Sequence, residues 1–150
     1  MILLGLDAST PKGSVALLKD RQVIAESVGS STFSDQLLVL VDEVLGKLDR
    51  GLEEVDGFCV TTGPGSFTGL RIGVSLIKGL VLATEKPFWA INTLEAYAKL
   101  IEQGKVREIG ASNFTAERLK EALDLSKKGL PRYQSLQPIC SLVERDTLEE

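Results

Sequence analysis

The chain has 150 residues, 43% hydrophobic and 25% charged, which is enough for one well-cored domain of ordinary soluble composition and too short for two well-separated domains of average size. Its 21 acidic and 17 basic residues leave a net charge of −4, which argues against a surface that grips nucleic acid through its phosphates. It contains no histidine, which removes Ser-His-Asp and Cys-His arrangements, the usual zinc sites and the easiest general base near neutral pH.

The apolar run ILLGLD followed by the small turn Ala8-Ser9-Thr10 predicts a buried strand that delivers Asp7, Ser9 and Thr10 to its tip. GSVALLKDRQVIAES then reads as two strands around a turn at Lys19-Asp20-Arg21-Gln22, so the chain opens as a three-stranded antiparallel meander. From Ser34 the period changes. Leu37, Leu40, Val41, Val44, Leu45 and Leu48 recur at helical spacing, with Ser34 placed to cap the helix and Asp35 in its first turn. VDGFCVTT is the next buried strand, in which Cys59 is expected to be a buried free thiol, and it runs into the glycine-rich stretch Gly63 to Gly69.

The segment from about Thr68 to Glu85 is apolar nearly all round: Leu70, Val74, Ile77 and Val81 form one stripe, and Ile72, Leu76 and Ala83 lie on another. Gly69 and Gly73, four apart, would let another backbone come close. Such a helix is either covered by its own chain or part of a subunit interface, and periodicity alone favours the first. PFWAINT predicts a short strand, and Leu94, Tyr97, Ala98 and Ile101 give the following helix its apolar face. After Gly104, KVREIGASN reads as a strand, and Thr115 caps a helix with Leu119, Ala122, Leu123 and Ser126 on one face, stopped by Gly129. YQSLQP reads as a last strand, with Cys140 in the segment after it. Alternation from residue 34 onward predicts a parallel sheet with crossover helices, about seven strands in all. No signal peptide precedes Met1 and Lys78 breaks the longest apolar run, so a cytoplasmic protein is expected.

Two places could meet a phosphate: the strand-end turn with Asp7, Ser9 and Thr10, and the loop with Gly63 and Gly65 ahead of a helix, whose backbone N–H groups are free to bind anions. The loop lacks the lysine and spacing of a P-loop, so its glycines and proline are read first as shaping a tight strand-to-helix turn.

Residues 1 to about 101, with LGLDAST, GSVALL, TTGPGSFTGLRIGVSLIKGL and NTLEAYA, resemble the N-terminal lobe of the bacterial TsaB (YeaZ) family. The resemblance implies an α/β, ribonuclease-H-like or actin-like lobe with a mixed sheet of order 3-2-1-4-5. It also implies a non-catalytic partner of TsaD in tRNA threonylcarbamoyladenosine synthesis. In that family the helix after GPGSFTG packs, with the first helix, on an equivalent pair in TsaD or in a second copy. Leu70, Arg71, Val74, Ile77, Lys78 and Val81 therefore become interface candidates, either for a homodimer through the 68–85 helix or for a TsaD-like protein. The family commonly carries a histidine just before the Ser34 position, where this chain has Phe33, and a TsaB protein is expected to continue into a second lobe of its own.

Residues from about Gly104 to Asp146 instead resemble part of an aldo-keto reductase: its sixth strand, sixth helix and seventh strand, a piece of a (β/α)8 barrel, carried by GKVREIGASNF and SLQP. In that family the residues matching Ser112, Asn113 and Gln137 touch the nicotinamide carboxamide of NADPH. The active-site Asp, Tyr, Lys and His lie on earlier strands that have no counterpart here, and QPICSL stands where QPEYSL is usual. Hydride transfer has no route without an acid for the carbonyl oxygen. No cofactor, metal or catalytic residue is expected, and these three side chains would be vestigial. The two resemblances together imply a chimera: a lobe over 1–101 and a strand-helix-strand fragment over 102–150, with the fragment extending the same sheet beside the fifth strand or capping it as an annex.

Overall fold

Alternation along the first strands decides which face of the sheet is covered. In the computed structural model, which describes residues 1–29, 36–112, 114–127 and 129–137, strand β1 (Ile2–Asp7) buries Ile2, Leu4 and Leu6 and leaves Leu3, Gly5 and Asp7 half-buried. β2 (Ser14–Lys19) runs antiparallel to β1 and buries Val15 and Leu17, and β3 (Gln22–Val28) runs antiparallel to β2. The two strands are joined by Asp20 and Arg21, whose φ angles of 51° and 70° are both left-handed. Positive φ at both central residues is the signature of the type I′ turn, whose twist matches that of the flanking strands. The turn is also tied to the chain start. Asp20 Oδ1 accepts from the Met1 ammonium at 3.0 Å, and the Asp20 N–H donates to the Met1 carbonyl at 3.2 Å.

The chain divides into two compact units, Met1–Thr93 and Leu94–Glu150. In the first, β4 (Gly57–Thr61) lies parallel to β1, and β5 (Phe88–Ile91) lies parallel to β4. The five strands take the mixed order β3-β2-β1-β4-β5 that the TsaB resemblance implies. Helix α1 (Leu37–Leu45) buries Leu37, Leu40, Val41 and Val44 in a single cluster with Leu4, Leu6, Val15, Leu17, Phe58 and Val60. The proposed cap at Ser34, together with Phe33 and Asp35, lies outside the described residues.

Helix α2 (Phe67–Thr84) reaches the same cluster through Ile77, with Gly69 and Gly73 as its other fully buried positions. These three are four residues apart, one stripe of a helix. A Cβ on Gly73 would stand 2.8 Å from Leu6 Cδ2 and 3.1 Å from Ala8 Cβ, so the missing side chain lets the helix backbone approach β1. Leu82 and Phe67 on the same helix are 83% and 65% exposed. With 18 residues and a mean hydropathy of 1.4, α2 does satisfy the length and composition of a membrane span, even with Lys78 in it, contrary to the expectation from the sequence.

In the second unit, α3 (Thr93–Glu102, its first residue in the first unit) precedes β6 (Ile109–Ser112), α4 (Ala116–Ser126) and β7 (Tyr133–Gln137). Thr115 caps α4, its side chain accepting from the Arg118 N–H at 3.3 Å, and Gly129 (φ 93°) turns the chain after it. β6 and β7 are parallel and pair with each other in a sheet of their own, so the seven strands of the described residues form sheets of five and two rather than one continuous sheet. The physical reason is local: an 11-residue crossover helix returns the chain beside the strand it left, and a β-α-β unit pairs its own strands first. The division after Thr93 falls at the start of α3, whereas the family resemblance changes near its end.

Two measurements probe this architecture. Arg21 holds a left-handed conformation that glycine adopts without steric cost, so Arg21→Gly should stabilise the fold by about 0.5–1 kcal/mol in urea denaturation. Cys59 is a half-buried free thiol, and burial pushes its pKa up by penalising the thiolate. In a Cys140→Ser background, its alkylation by iodoacetamide should be slower at pH 8 in the folded protein than in urea, with the midpoint of the rate profile at higher pH when folded.

Candidate functional site

Because β1 and β4 are parallel neighbours, their C-terminal ends finish side by side, and the loops that leave them meet. Asp7 ends β1 and Thr61 ends β4. Asp7 Oδ1 accepts from Thr61 Oγ1 at 2.6 Å and from the Ser9 N–H at 2.9 Å. The Ser66 N–H donates to the Ser9 carbonyl at 2.7 Å, and the Thr93 N–H donates to the Gly63 carbonyl at 2.9 Å. Gly65 is pressed against Ser9: a Cβ there would lie 2.5 Å from the Ser9 carbonyl oxygen, so only glycine fits the contact between the loops. The Gly63–Pro64 peptide is cis.

The sequence candidates Asp7, Ser9, Gly63 and Gly65 are thus brought together, while Thr10 turns aside and donates from Oγ1 to the Lys12 carbonyl at 2.8 Å. Thr61 and Thr93 were missed as members. A threonine at the end of an apolar strand carries no signal until the strand pairing is known. The donors this junction would offer an anion are partly spent: Ser66 N–H is bound to Ser9, and Ser66 Oγ caps α2 by accepting from the Gly69 N–H at 3.2 Å. The Asp7 carboxylate beside them opposes a second negative charge. The Ser9 and Thr93 hydroxyls are buried without a hydrogen-bond partner among the described residues, polar groups that a small polar guest or ordered water would satisfy. On the other face of the sheet, the small residues Gly5, Ser14 and Ala16 leave a hollow of about 240 Å³ that also touches Asp7, Cys59, Thr61 and Ile91. Among the described residues no three His, Cys, Asp or Glu side chains converge in a way that could hold a metal.

The helix candidates divide by facing. Arg71 and Lys78 are exposed, and Leu70, Val74 and Val81 are half-buried. Ile77 is fully buried in the core and has no surface to offer a partner. The guanidinium of Arg71 lies over the ring of Phe67, 5.4 Å from its centroid. Phe67 and Leu82 on α2, and Leu38 and Val39 on α1 at 62% and 53% exposed, are apolar surface that the stripe assignment did not include. The signal was present in Leu38 and Val39, which fall off the buried period of α1.

In the second unit, Ser112 and Gln137 are register partners at the C-terminal ends of β6 and β7, both exposed, and Asn113 lies outside the described residues. Gly110 allows the close pairing, since a Cβ there would meet Ser135 Oγ at 2.5 Å. Phe114 packs edge-on to Tyr133, with centroids 5.4 Å apart, and burial, then the neighbouring Tyr97, raises the Tyr133 phenol pKa.

Comparison with known proteins matches residues 23–107 to the family model TsaD, tRNA N6-adenosine threonylcarbamoyltransferase, and residues 66–150 to the Aldo/keto reductase family. The tRNA threonylcarbamoyladenosine biosynthesis protein TsaB of Haemophilus influenzae is 36% identical over 100 residues, 66% of this chain and 42% of that protein. Its namesake in Escherichia coli is 33% identical over 117 residues, 77% of this chain and 49% of that protein. Among solved structures, YeaZ from Pseudomonas aeruginosa superposes with a TM-score of 0.63 at 30% identity, covering 73% of this chain and 52% of the other. The chain therefore spans a little under half the length of the curated relatives it matches. With the mixed five-stranded sheet, the glycine loop at the head of α2 and a family match over more than half its residues, the chain belongs to the family of TsaD and its TsaB relatives.

Proposed function

We propose that residues 1 to about 101 act as a non-catalytic binding lobe of the TsaB kind, in the cytoplasm, pairing through α1 and α2 with a TsaD-like protein or a second copy in tRNA threonylcarbamoyladenosine synthesis. The observation that carries this reading is the outward apolar surface of the two helices that cover the sheet. Leu38 and Val39 stand on α1, Phe67 and Leu82 on α2, and Leu70, Arg71, Val74, Lys78 and Val81 lie along the same α2 helix. Large exposed aliphatic and aromatic residues with an arginine among them suit the centre of a protein interface. A non-catalytic role is consistent with Asp7 being held by Thr61 and Ser9 and with the lack of histidine in the sequence.

The second match favours a further reading of the rest of the chain: residues 102–150 are a joined fragment of reductase ancestry, so that the whole is a chimera without a combined activity. The β6-α4-β7 unit, whose two parallel strands pair with each other, suits such a fragment. Ser112 and Gln137 stand beside each other at the strand ends, but a reductase also needs an acid to protonate the carbonyl oxygen, and an NADPH-dependent activity is the least supported reading.

Light scattering after size exclusion, alone and with a TsaD protein, tests the interface. Phe67→Glu with Leu82→Glu should abolish self-association and co-elution while changing stability by no more than about 0.5 kcal/mol, because both side chains are exposed; assembly that survives both charges sinks the reading. Thr61→Val should behave in the opposite way. It removes the hydroxyl donor to Asp7 and should cost about 1–2 kcal/mol of stability, with the assembled mass unchanged. NADPH fluorescence should show no saturable change on titration with the protein, and a saturable one would restore Ser112 and Gln137 to a cofactor role.

A further inference from the structure

The second unit carries a groove that neither family reading uses. Along α4, Ala116, Leu119 and Leu123 form an apolar strip at helical spacing, and they floor a cavity of about 530 Å³. Lys120, Lys127 and Arg132 stand around it with Asp124. Lys127 Nζ is 2.7 Å from Asp124 Oδ1, so that cation is already paired. Lys120 and Arg132 have no ion-pair partner among the described residues. In a chain of net charge −4, a groove lined by Lys120, Lys127 and Arg132 against Asp124 alone has a local charge opposite in sign to the chain as a whole.

We propose that this groove binds an acidic amphipathic helix of a partner protein, whose aliphatic residues lie on Ala116, Leu119 and Leu123 and whose carboxylates face Lys120 and Arg132. The shape favours a helix over an extended strand. The strip runs along the axis of α4 for roughly two turns, about 11 Å, and a second helix laid beside it would place its own i, i+3, i+4 residues on the strip at the usual separation of about 8–10 Å. A helix seated in the groove meets only its lining, whereas a flat anionic lipid surface would also meet Glu117 and Glu121, which are exposed on α4 outside that lining. The apolar floor disfavours a free small anion, which would leave Leu119 and Leu123 in water.

The test is a fluorescence anisotropy titration of the full chain into a labelled 14-residue peptide of leucine and glutamate, with leucine at i, i+3, i+4 and i+7. A peptide with lysine for every glutamate serves as its counterpart. Saturable binding of the glutamate peptide is expected, about tenfold weaker for the Lys120→Glu, Arg132→Glu double variant. The wild-type protein should lose affinity to a similar extent when salt is raised from 0.05 to 0.5 M, a readout that does not depend on the variant folding. Equal binding of the lysine peptide, indifference to both the variant and salt, or no saturable binding would overturn the proposal. So would binding that emerges only after removal of residues 138–150, whose sequence carries Leu142, Val143, Glu144, Asp146 and Leu148; the ligand would then be part of this chain and not a partner.

Discussion

The close seating of α2 against β1 and β4 is the contact on which the first unit depends. A helix lies near a sheet only as far as the side chains between them allow, and here the two central positions, Gly69 and Gly73, have none. Gly73 rests on Leu6 and Ala8, Ile77 fills the core beyond it, and at the head of the same helix Gly65 lets the preceding loop touch Ser9. These three contacts fix one end of α2 to the tip of β1 and its middle to the face of the sheet. Once the helix sits this low, only a narrow stripe of it is enclosed, and the remaining apolar residues must face sideways or outward. The exposed Phe67 and Leu82 are thus the geometric counterpart of the glycine contact.

The same constraint explains how much could be read in advance. The order of elements, the hairpin at residues 19–22, the stripe Leu37, Leu40, Val41 and Val44 of α1 and the close approach at Gly73 follow from local period and turn chemistry and are found as read, while Leu45 is half-buried and Leu48 lies past the end of the helix. The facing of α2 was less legible. A helix apolar on all sides has no preferred phase, so Leu70, Val74, Ile77 and Val81 looked like one stripe, although glycines turn a different stripe inward and place Ile77 in the core. Hydropathy scales give glycine little weight, and here glycine marks the most buried line. The junction between Asp7, Thr61, Ser9 and Ser66 was half legible for a different reason: the loop residues are conspicuous, but Thr61 joins them only through the register of β4 on β1, which is a tertiary fact.

The strands of the second unit show the limit of alternation as a guide. A β-α-β-α-β pattern predicts parallel strands and crossovers, and both are present in β6, α4 and β7. What alternation does not specify is which strands share a sheet. That depends on complementary edges, and β6 and β7 are complementary to each other: Gly110 opposite Ser135 permits close approach, and the Phe114–Tyr133 contact pins one end. The seven strands of the described residues divide as five and two, although the sequence period is nearly uniform along the chain.

This division has a consequence for how function can be carried. The exposed apolar residues of α1 and α2 stand on a sheet whose order, loop junction and core cluster lie within residues 1–93. Conversely, the strip on α4 is presented by a helix with its own cap at Thr115 and its own stop at Gly129. Each of these surfaces is thus carried on elements that lie within one unit. A catalytic site is different, since it requires groups from several strands to be held within tenths of an ångström of one another. A binding face can be carried by one helix pair or one helix where an active site cannot, and for this reason the surfaces of the two units, more than their strand-end residues, are where the function of this chain is to be sought.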